Sequence, residues 1–449
     1  MLEQVFFRFR LWRERPETAL IIGFAATILL GTFLLALPVS SASDSSLGVM
    51  TAAFTSTSAT CVTGLIVVDT GTAFSRFGQT VILLLIQTGG LGIMTFTAIF
   101  ASIGRQKISI QSQLTLRNTF LARSESISLR RLLIFIFLLT FSFEAAGAVI
   151  LFIQMNPAFP FFERAFHACF HAVSAFCNAG FSLSADSLEQ YGGSWVTLST
   201  FMILIIAGGL GYPVYLEIRE HLREPETFRW SLHTKTVLVS TVMLIVAGTV
   251  LIKAGMPELT LLDALFQSVT TRTAGFNSIH FGNLAHSVML VMMLLMLIGG
   301  SPGSTAGGIK TTAFAGSIII WKDWLLGRSR KRIFRRKLSE ESSRKIKAVV
   351  GLALLWIVFS LMVLLYSETR VLRSDPAAFQ DLLFEIVSAL GTVGLSTGAT
   401  PRLTTTGQIV IMLSMFIGRV GPLAVVTSLI KSRKRAPAIG HPEEKIMIG

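Results

Sequence analysis

The sequence predicts an all-α polytopic membrane protein made of four pseudo-symmetric repeats around one axis. Each repeat is expected to be a helix, a re-entrant helix, an extended strand and a second helix. Three observations predict this. The 449 residues are 52% hydrophobic and only 14% charged, a balance too apolar for a soluble chain of this length. Long apolar spans recur along the whole chain. A short stretch ending in Gly plus Leu or Phe occurs four times, after a short apolar segment each time.

The long spans fall near 18–37, 77–101, 131–154, 195–216, 235–254, 286–320, 346–367 and 405–430. Each has about twenty apolar residues, enough to cross ~30 Å of hydrocarbon. The first follows Arg8, Arg10, Arg13 and Arg15 and so has a signal peptide as its rival reading. It is longer than a signal core, and many similar spans follow it. Between odd and even spans lie the segments 47–59, 162–176, 261–271 and 377–390. They are too short to cross and suit re-entrant helices. Pore repeats are therefore expected at 18–101, 131–216, 235–321 and 346–431. Linkers 102–130, 217–234 and 322–345 would separate them, and 1–17 and 432–449 would flank them.

The net charge of +14 suits either a nucleic-acid binder or a membrane protein with sorted loops. Distribution decides for the second. Thirty of the thirty-nine Lys and Arg lie in 1–17, 102–131, 215–235, 322–347 and 431–449, and seven lie in the alternate segments. Such alternation is the positive-inside pattern. It places both termini in the cytoplasm and the glycine stretches on the outer side, with no nucleic-acid partner. Three cysteines, Cys61, Cys169 and Cys177, have no metal-type spacing and cannot all pair.

The recurring stretches are Thr60-Cys61-Val62-Thr63-Gly64-Leu65, Phe176-Cys177-Asn178-Ala179-Gly180-Phe181, Thr271-Arg272-Thr273-Ala274-Gly275-Phe276 and Leu390-Gly391-Thr392-Val393-Gly394-Leu395. Ten residues before the glycine stand Phe54, Phe170, Leu265 and Phe384; six before stand Ser58, Ser174, Val269 and Ser388. Twenty-four to twenty-nine residues after it come Gly89-Gly90, Gly208-Gly209, Gly299-Gly300 and Gly418 with Gly421. One such triplet means little, but shared offsets on both sides indicate internal duplication.

Glycine tolerates positive φ, so these strands can turn successive carbonyls towards a common axis. Moving a small ion into low dielectric costs on the order of 20 kcal/mol in the Born limit, and rings of carbonyls replace the lost hydration. The candidates are Ala59 to Thr63, Phe176 to Ala179, Thr271 to Ala274 and Gly391 to Val393, with the four glycines. Re-entrant helices would add their negative C-terminal ends. No carboxylate lies inside the strands, which favours K+ over Ca2+. The reading is one cation pore within one chain. Arg272, inside the third stretch, is expected to point away and hold the strand, with Glu385 as a candidate partner. Asp69, Asp263 and Asp381 are read as mouth or helix-end charges. His167 and His171 are read as pore-helix packing rather than a metal pair.

The sixth span breaks at Gly299-Gly300-Ser301-Pro302-Gly303-Ser304-Thr305-Ala306-Gly307-Gly308, followed by Lys310. This composition cannot stay helical, and a loop at membrane depth lines a cavity. Arg419 has apolar sequence on both sides and is expected to line that cavity or bond the loop's carbonyls. Lys310 lies nearer the basic loop and has snorkelling as an alternative. Glu144, alone in the third span, requires a polar partner that the sequence does not name.

With its four glycine stretches, its broken sixth span and Arg419, the whole chain resembles the Ktr/Trk/HKT potassium-uptake superfamily, most closely the membrane subunit of bacterial Ktr systems. The resemblance implies that Gly64, Gly180, Gly275 and Gly394 are selectivity-filter glycines for K+. It implies that residues 299–308 gate the pore from below the filter, with Arg419 lining it. It also implies a homodimer in the bacterial inner membrane and a cytosolic ring of nucleotide-binding, RCK-type regulatory subunits like Ktr A and C. Only the glycine is common to all four stretches, which argues against very strict K+/Na+ discrimination. Na+ remains a candidate activating ion, and membrane lipid the other partner of the basic loops.

Two rival functions come from other classes. A secondary exchanger would share broken helices and midplane charges, but four parallel repeats differ from two inverted halves. An intramembrane enzyme would need a motif such as HExxH, or paired acids in the membrane, and the sequence carries neither.

Overall fold

The computed structural model describes residues 16–43, 45–105, 128–225, 229–281, 284–327, 332–333, 336–369 and 378–429. The expected segments 1–17, 102–130, 322–345 and 432–449 fall wholly or partly outside these. The first repeat is α1 (Pro16–Leu35), α2 (Val49–Cys61), a short α3 (Thr70–Ala73) and α4 (Arg76–Arg105). The second is α5 (Leu129–Gln154), α6 (Phe161–Phe176), α7 (Trp195–Leu210) and α8 (Tyr212–Arg223). The third is α9 (Leu232–Gly255), α10 (Leu261–Thr270), α11 (His286–Leu297) and α12 (Thr311–Leu325). The fourth is α13 (Glu340–Ser367), α14 (Ala378–Gly391), α15 (Thr405–Val420) and α16 (Pro422–Leu429). A two-residue hairpin, Arg332–Ile333 with Arg336–Lys337, is the strand pairing among the described residues.

Among the described residues, five helices are long and apolar enough to cross a membrane: Thr18–Leu35, Arg76–Ile99, Leu129–Gln154, Leu232–Gly255 and Glu340–Ser367. Their apolar surface is widely exposed, as at Leu30, Leu138, Val242 and Leu355; lipid is the medium in which that exposure costs nothing. The eight expected spans are not all continuous helices. α7 and α8 meet at 93°, with Gly211 at φ 86° between them, and α15 and α16 part at Gly421, φ 97°. Each glycine is followed closely by a proline, Pro213 and Pro422, which suits the first turn of a new helix. Only the sixth break was expected.

The first helices of the second, third and fourth repeats each start with a serine cap: Ser128, Ser231 and Ser339 accept from the backbone N–H three residues on. The short helices α2, α10 and α14 are buried along most of their length and α6 along its C-terminal half, and all four end at the glycine stretches. Phe54, Phe170 and Phe384, ten residues before their glycines, are fully buried, as expected of equivalent positions. In the third repeat the buried ring is Phe266, while Leu265 is half-buried. The third re-entrant helix therefore sits one residue closer to its glycine than the other three.

Candidate cation pathway

The same one-residue difference governs the hydrogen bonds that start each strand. The N–H before the glycine bonds to the carbonyl of Ser58, Ser174 or Ser388 in three repeats, at 2.7–2.8 Å. In the third, Ala274 N–H bonds to Thr270, at 2.9 Å. Thr270 also takes over the hydroxyl, donating to the Phe276 carbonyl at 2.6 Å as Ser174 donates to Phe181 at 2.8 Å. Ser58 and Ser388 Oγ instead accept from the Gly64 and Gly394 N–H groups, both at 3.1 Å. The odd Val269 is thus a register difference rather than a lost hydroxyl.

The strands alternate their backbone sign. Gly64, Gly180, Gly275 and Gly394 have φ of 94°, 71°, 78° and 94°, and the residue two before each is also positive: Val62 56°, Asn178 60°, Thr273 75° and Thr392 51°. Left-handed geometry at β-branched Val and Thr is strained, at about 1–3 kcal/mol each, and here it recurs at this position in three repeats, with Asn178 in the fourth instance. The alternation turns successive carbonyls to one side of each strand.

The four glycines pack as a ring. A Cβ on Gly180 would lie 2.7 Å from the Ala274 carbonyl oxygen and 2.9 Å from Gly275 Cα. The corresponding Cβ positions on Gly64, Gly275 and Gly394 collide with the carbonyls of Ala179, Val393 and Thr63. The order is first repeat to second, third, fourth and back to first. Asn178 and Thr273, equivalent residues of adjacent strands, are joined side chain to side chain at 3.3 Å. The carbonyls of Val62 and Thr63, Asn178 and Ala179, Thr273 and Ala274, and Thr392 and Val393 accept no hydrogen bond among the described residues, although all eight residues are at most 1% exposed.

The first candidate stretch needs correction at its start. Ala59, Thr60 and Cys61 form the last turn of α2, Phe176 ends α6 and Gly391 ends α14. The Thr60, Phe176 and Leu390 carbonyls face Gly89, Gly208 and Gly418 of the following helices, and that of Phe176 also accepts from Thr305 Oγ1 at 3.1 Å. These carbonyls are engaged in packing behind the ring. They explain the glycine in three of the following spans: a Cβ at residue 89, 208 or 418 would strike a carbonyl in the last turn of the re-entrant helix, whereas Gly299 in the third repeat meets the Gly307 carbonyl. Cys177, Thr271 and Arg272 turn between helix and strand.

Arg272 points away from the ring, as expected, but not to Glu385. Its guanidinium faces the Thr241 carbonyl at 3.5 Å and the Gly299 carbonyl at 3.4 Å. Glu385, fully buried, instead accepts from Ser396 Oγ at 2.6 Å, from Thr397 N–H at 3.0 Å and from Thr400 Oγ1. It braces the strand that runs out from Gly394. His171 does the same in the second repeat, with Nε2 3.1 Å from Ser182 Oγ and accepting from Leu183 N–H at 3.4 Å. In the third, Ser278 Oγ donates to Asp263 at 2.9 Å, and Gln267 lies 3.5 Å from the same hydroxyl. Sequence comparison missed these braces because their chemistry differs in each repeat. Asp69 caps α3 through Thr72 N–H, a helix-end role as expected.

The interrupted segment 299–308 lies on the re-entrant-helix side of the ring. Ser301 and Thr305 N–H groups bond to the Gly209 and Gly208 carbonyls at 2.9 and 3.2 Å, and Tyr212 N–H bonds to Gly303 at 3.1 Å. The segment's ends close on each other, Gly299 N–H to Ile309 at 2.9 Å and Thr311 N–H to Gly300 at 3.0 Å. Ser304 Oγ folds onto the Ser301 carbonyl at 2.6 Å, and Pro302 O packs against Gly211. Gly307 and Gly308 lie against Thr392 and Gly391 of the fourth repeat. Lys310 does not snorkel; its Nζ folds back to the Ala306 carbonyl at 2.6 Å. Arg419, 3% exposed, donates to the Thr305 carbonyl and, at 2.6 Å, to the Gly89 carbonyl.

Residues 17–436 match the TrkH family, described as cation transport proteins. The chain is 39% identical to the Ktr system potassium uptake protein B of Bacillus subtilis (strain 168), over 97% of each chain. It is 37% identical to the potassium/sodium uptake protein NtpJ of Enterococcus hirae, over 97% of this chain and 98% of the relative. The crystal structure of the potassium transporter TrkH from Vibrio parahaemolyticus shares the fold, with a TM-score of 0.69 and 19% identity, covering 92% of this chain and 86% of that one. With its four repeats closed into one glycine ring, the chain belongs to the TrkH family of cation transport proteins.

Proposed function

We propose that this chain is the membrane subunit of a potassium-uptake system, passing K+ through one channel-like pore. The observation that carries the reading is the set of eight buried carbonyls around the glycine ring that no donor among the described residues satisfies. Buried carbonyls left unpaired are costly, and a dehydrated monovalent cation on the axis satisfies them together. The four re-entrant helices direct their C-terminal ends at the same point, adding negative potential without a fixed carboxylate. In this reading Val62 to Gly64, Asn178 to Gly180, Thr273 to Gly275 and Thr392 to Gly394 form the selectivity filter. Residues 299–308, with Lys310 and Arg419, are the gate.

Relatives of this length carry the names of potassium and potassium/sodium uptake proteins, which supports K+ as the permeant ion and keeps Na+ as a second or activating ion. The Ktr-system names support a regulatory partner, read here as a cytosolic nucleotide-binding ring. A homodimer in a bacterial inner membrane, both termini cytoplasmic, completes the proposal. The test is flux of a K+ analogue into liposomes that hold the purified chain. Saturable K+ uptake along its gradient is expected. Strictly coupled exchange, with no net uptake, would replace the pore by an exchanger.

A further inference from the structure

Glu144 is accounted for neither by the ring nor by the loop. It stands within α5, is 4% exposed, and has no cationic partner within ion-pair distance among the described residues. Its Oε2 accepts from Gln87 Nε2 of α4 at 3.2 Å. Its Oε1 accepts from Cys177 Sγ at 3.8 Å, and the same thiol lies 3.8 Å from Gln87 Oε1. Three side chains from three elements therefore close a triangle directly behind the second strand. Cys177 immediately precedes Asn178, whose backbone carries the positive φ. The thiol has room only because residue 90 is glycine, where a Cβ would come within 2.6 Å of Sγ. Gly89, beside it, holds Arg419.

A carboxyl within a membrane span is expensive, and a glutamine would fill the same space at lower cost but with one acceptor oxygen where the carboxyl presents two. From this triangle we infer that Glu144 is a positioning and specificity-determining residue for the cation. Its two oxygens hold Gln87 and Cys177 together, and through Cys177 they fix the backbone of Asn178 in the second strand. The inference rests on the pore reading above.

The test compares K+ uptake by Glu144→Gln and Glu144→Asp proteoliposomes, with Gly180→Ser as control. The Gln variant should raise KM for K+ by about threefold or more while Vmax stays within about twofold. The Asp variant should fall between wild type and Gln, because it keeps both oxygens and moves them by one methylene. If KM is unchanged in Gln while Gly180→Ser raises it, the ring stands and this inference is wrong. If neither variant nor control moves KM, the pore reading itself fails. A fall in Vmax alone, equal in Gln and Asp, reduces Glu144 to a packing role. Should the Gln variant fail to insert, the Asp variant decides: a raised KM supports the inference and a wild-type KM overturns it.

Discussion

Arg419 donates to the Thr305 carbonyl from one guanidinium nitrogen and to the Gly89 carbonyl from the other. One side chain of the fourth repeat thereby ties the third repeat's loop to the first repeat's second helix. Thr305 is also bonded to the second repeat, through Gly208 and Phe176. All four repeats meet at this residue, directly beside the glycine ring. A glycine-rich loop has little order of its own, so its place is set by these outside contacts. A planar, five-donor cation suits two separated carbonyls in a way that a point charge does not.

Arg419→Ala should therefore release the loop. Hydrogen bonds to charged groups contribute about 1.5–3 kcal/mol, and losing two of them should raise the open population by about tenfold or more. K+ flux through the membrane subunit alone, in liposomes at matched density, should rise accordingly. Arg419→Lys should be intermediate, since one ammonium cannot reach both carbonyls in the same geometry. Deleting Gly303 to Gly307 removes the obstruction with its tether and should have the larger effect. Unchanged or lower flux from a folded deletion would show that the loop is not the barrier.

Ser58→Ala and Ser388→Ala each leave a buried strand N–H without its acceptor. The cost is about 1–3 kcal/mol per site, applied at the ring rather than in the surrounding bundle. Both variants should raise KM for K+ to a similar degree, because Gly64 and Gly394 are held at the same distance, 3.1 Å. Val269→Ala, at the aligned position of the third repeat, should leave KM unchanged, since Thr270 carries the hydroxyl there. Equal effects of all three on uptake kinetics would contradict the register difference.

Much of this architecture is legible in the residues, and the reason is repetition. Gly64, Gly180, Gly275 and Gly394 stand out because a backbone constraint leaves one acceptable residue type. The loop and Arg419 stand out because glycine, proline and charge are rare within apolar spans. What stays hidden is equivalence of geometry without equivalence of chemistry. His171, Gln267 with Asp263, and Glu385 brace equivalent strands with an imidazole, an amide with a carboxylate, and a carboxylate. A one-residue difference in the third repeat made Leu265 and Val269 look like poor matches, although Phe266 and Thr270 do the work. The bends at Gly211 and Gly421 had a signal, glycine just before proline, that a hydropathy reading passes over.

The basic segment that runs from the end of α12 into the start of α13 offers a test of the partner. It holds eleven Lys and Arg from Lys322 to Lys347, against Asp323, Glu340 and Glu341. Contact with anionic lipid accounts for part of such charge. If a cytosolic ring also docks there, neutralising Arg332, Arg335 and Arg336 should weaken binding of the ring as well as of anionic vesicles. Co-purification at several salt concentrations measures the first and vesicle flotation the second. Loss of vesicle binding alone would leave lipid as the whole explanation.

The glycine ring makes the most specific prediction, because each glycine touches the backbone of the next repeat rather than its own. A Cβ on Gly180 meets the Ala274 oxygen at 2.7 Å, whereas the same atom on Gly64, Gly275 or Gly394 comes still closer to its neighbour's carbonyl. Substitution to Ala must therefore push the adjacent strand, and overpacking of this kind costs about 1–3 kcal/mol. All four variants should raise KM for K+, by about tenfold where the whole cost falls on the bound state, and Gly180→Ala should be the mildest. The positive φ adds a second penalty that Ser shares and that no rotamer relieves. Adjacent substitutions should also couple: in a double-mutant cycle, Gly64→Ala with Gly180→Ala should depart from additivity, since Gly64 packs on the strand that Gly180 ends. The measurement is K+ uptake at varied concentration, with membrane insertion checked for each variant. Wild-type KM in all four single variants, properly inserted, would remove the ring from the cation's path.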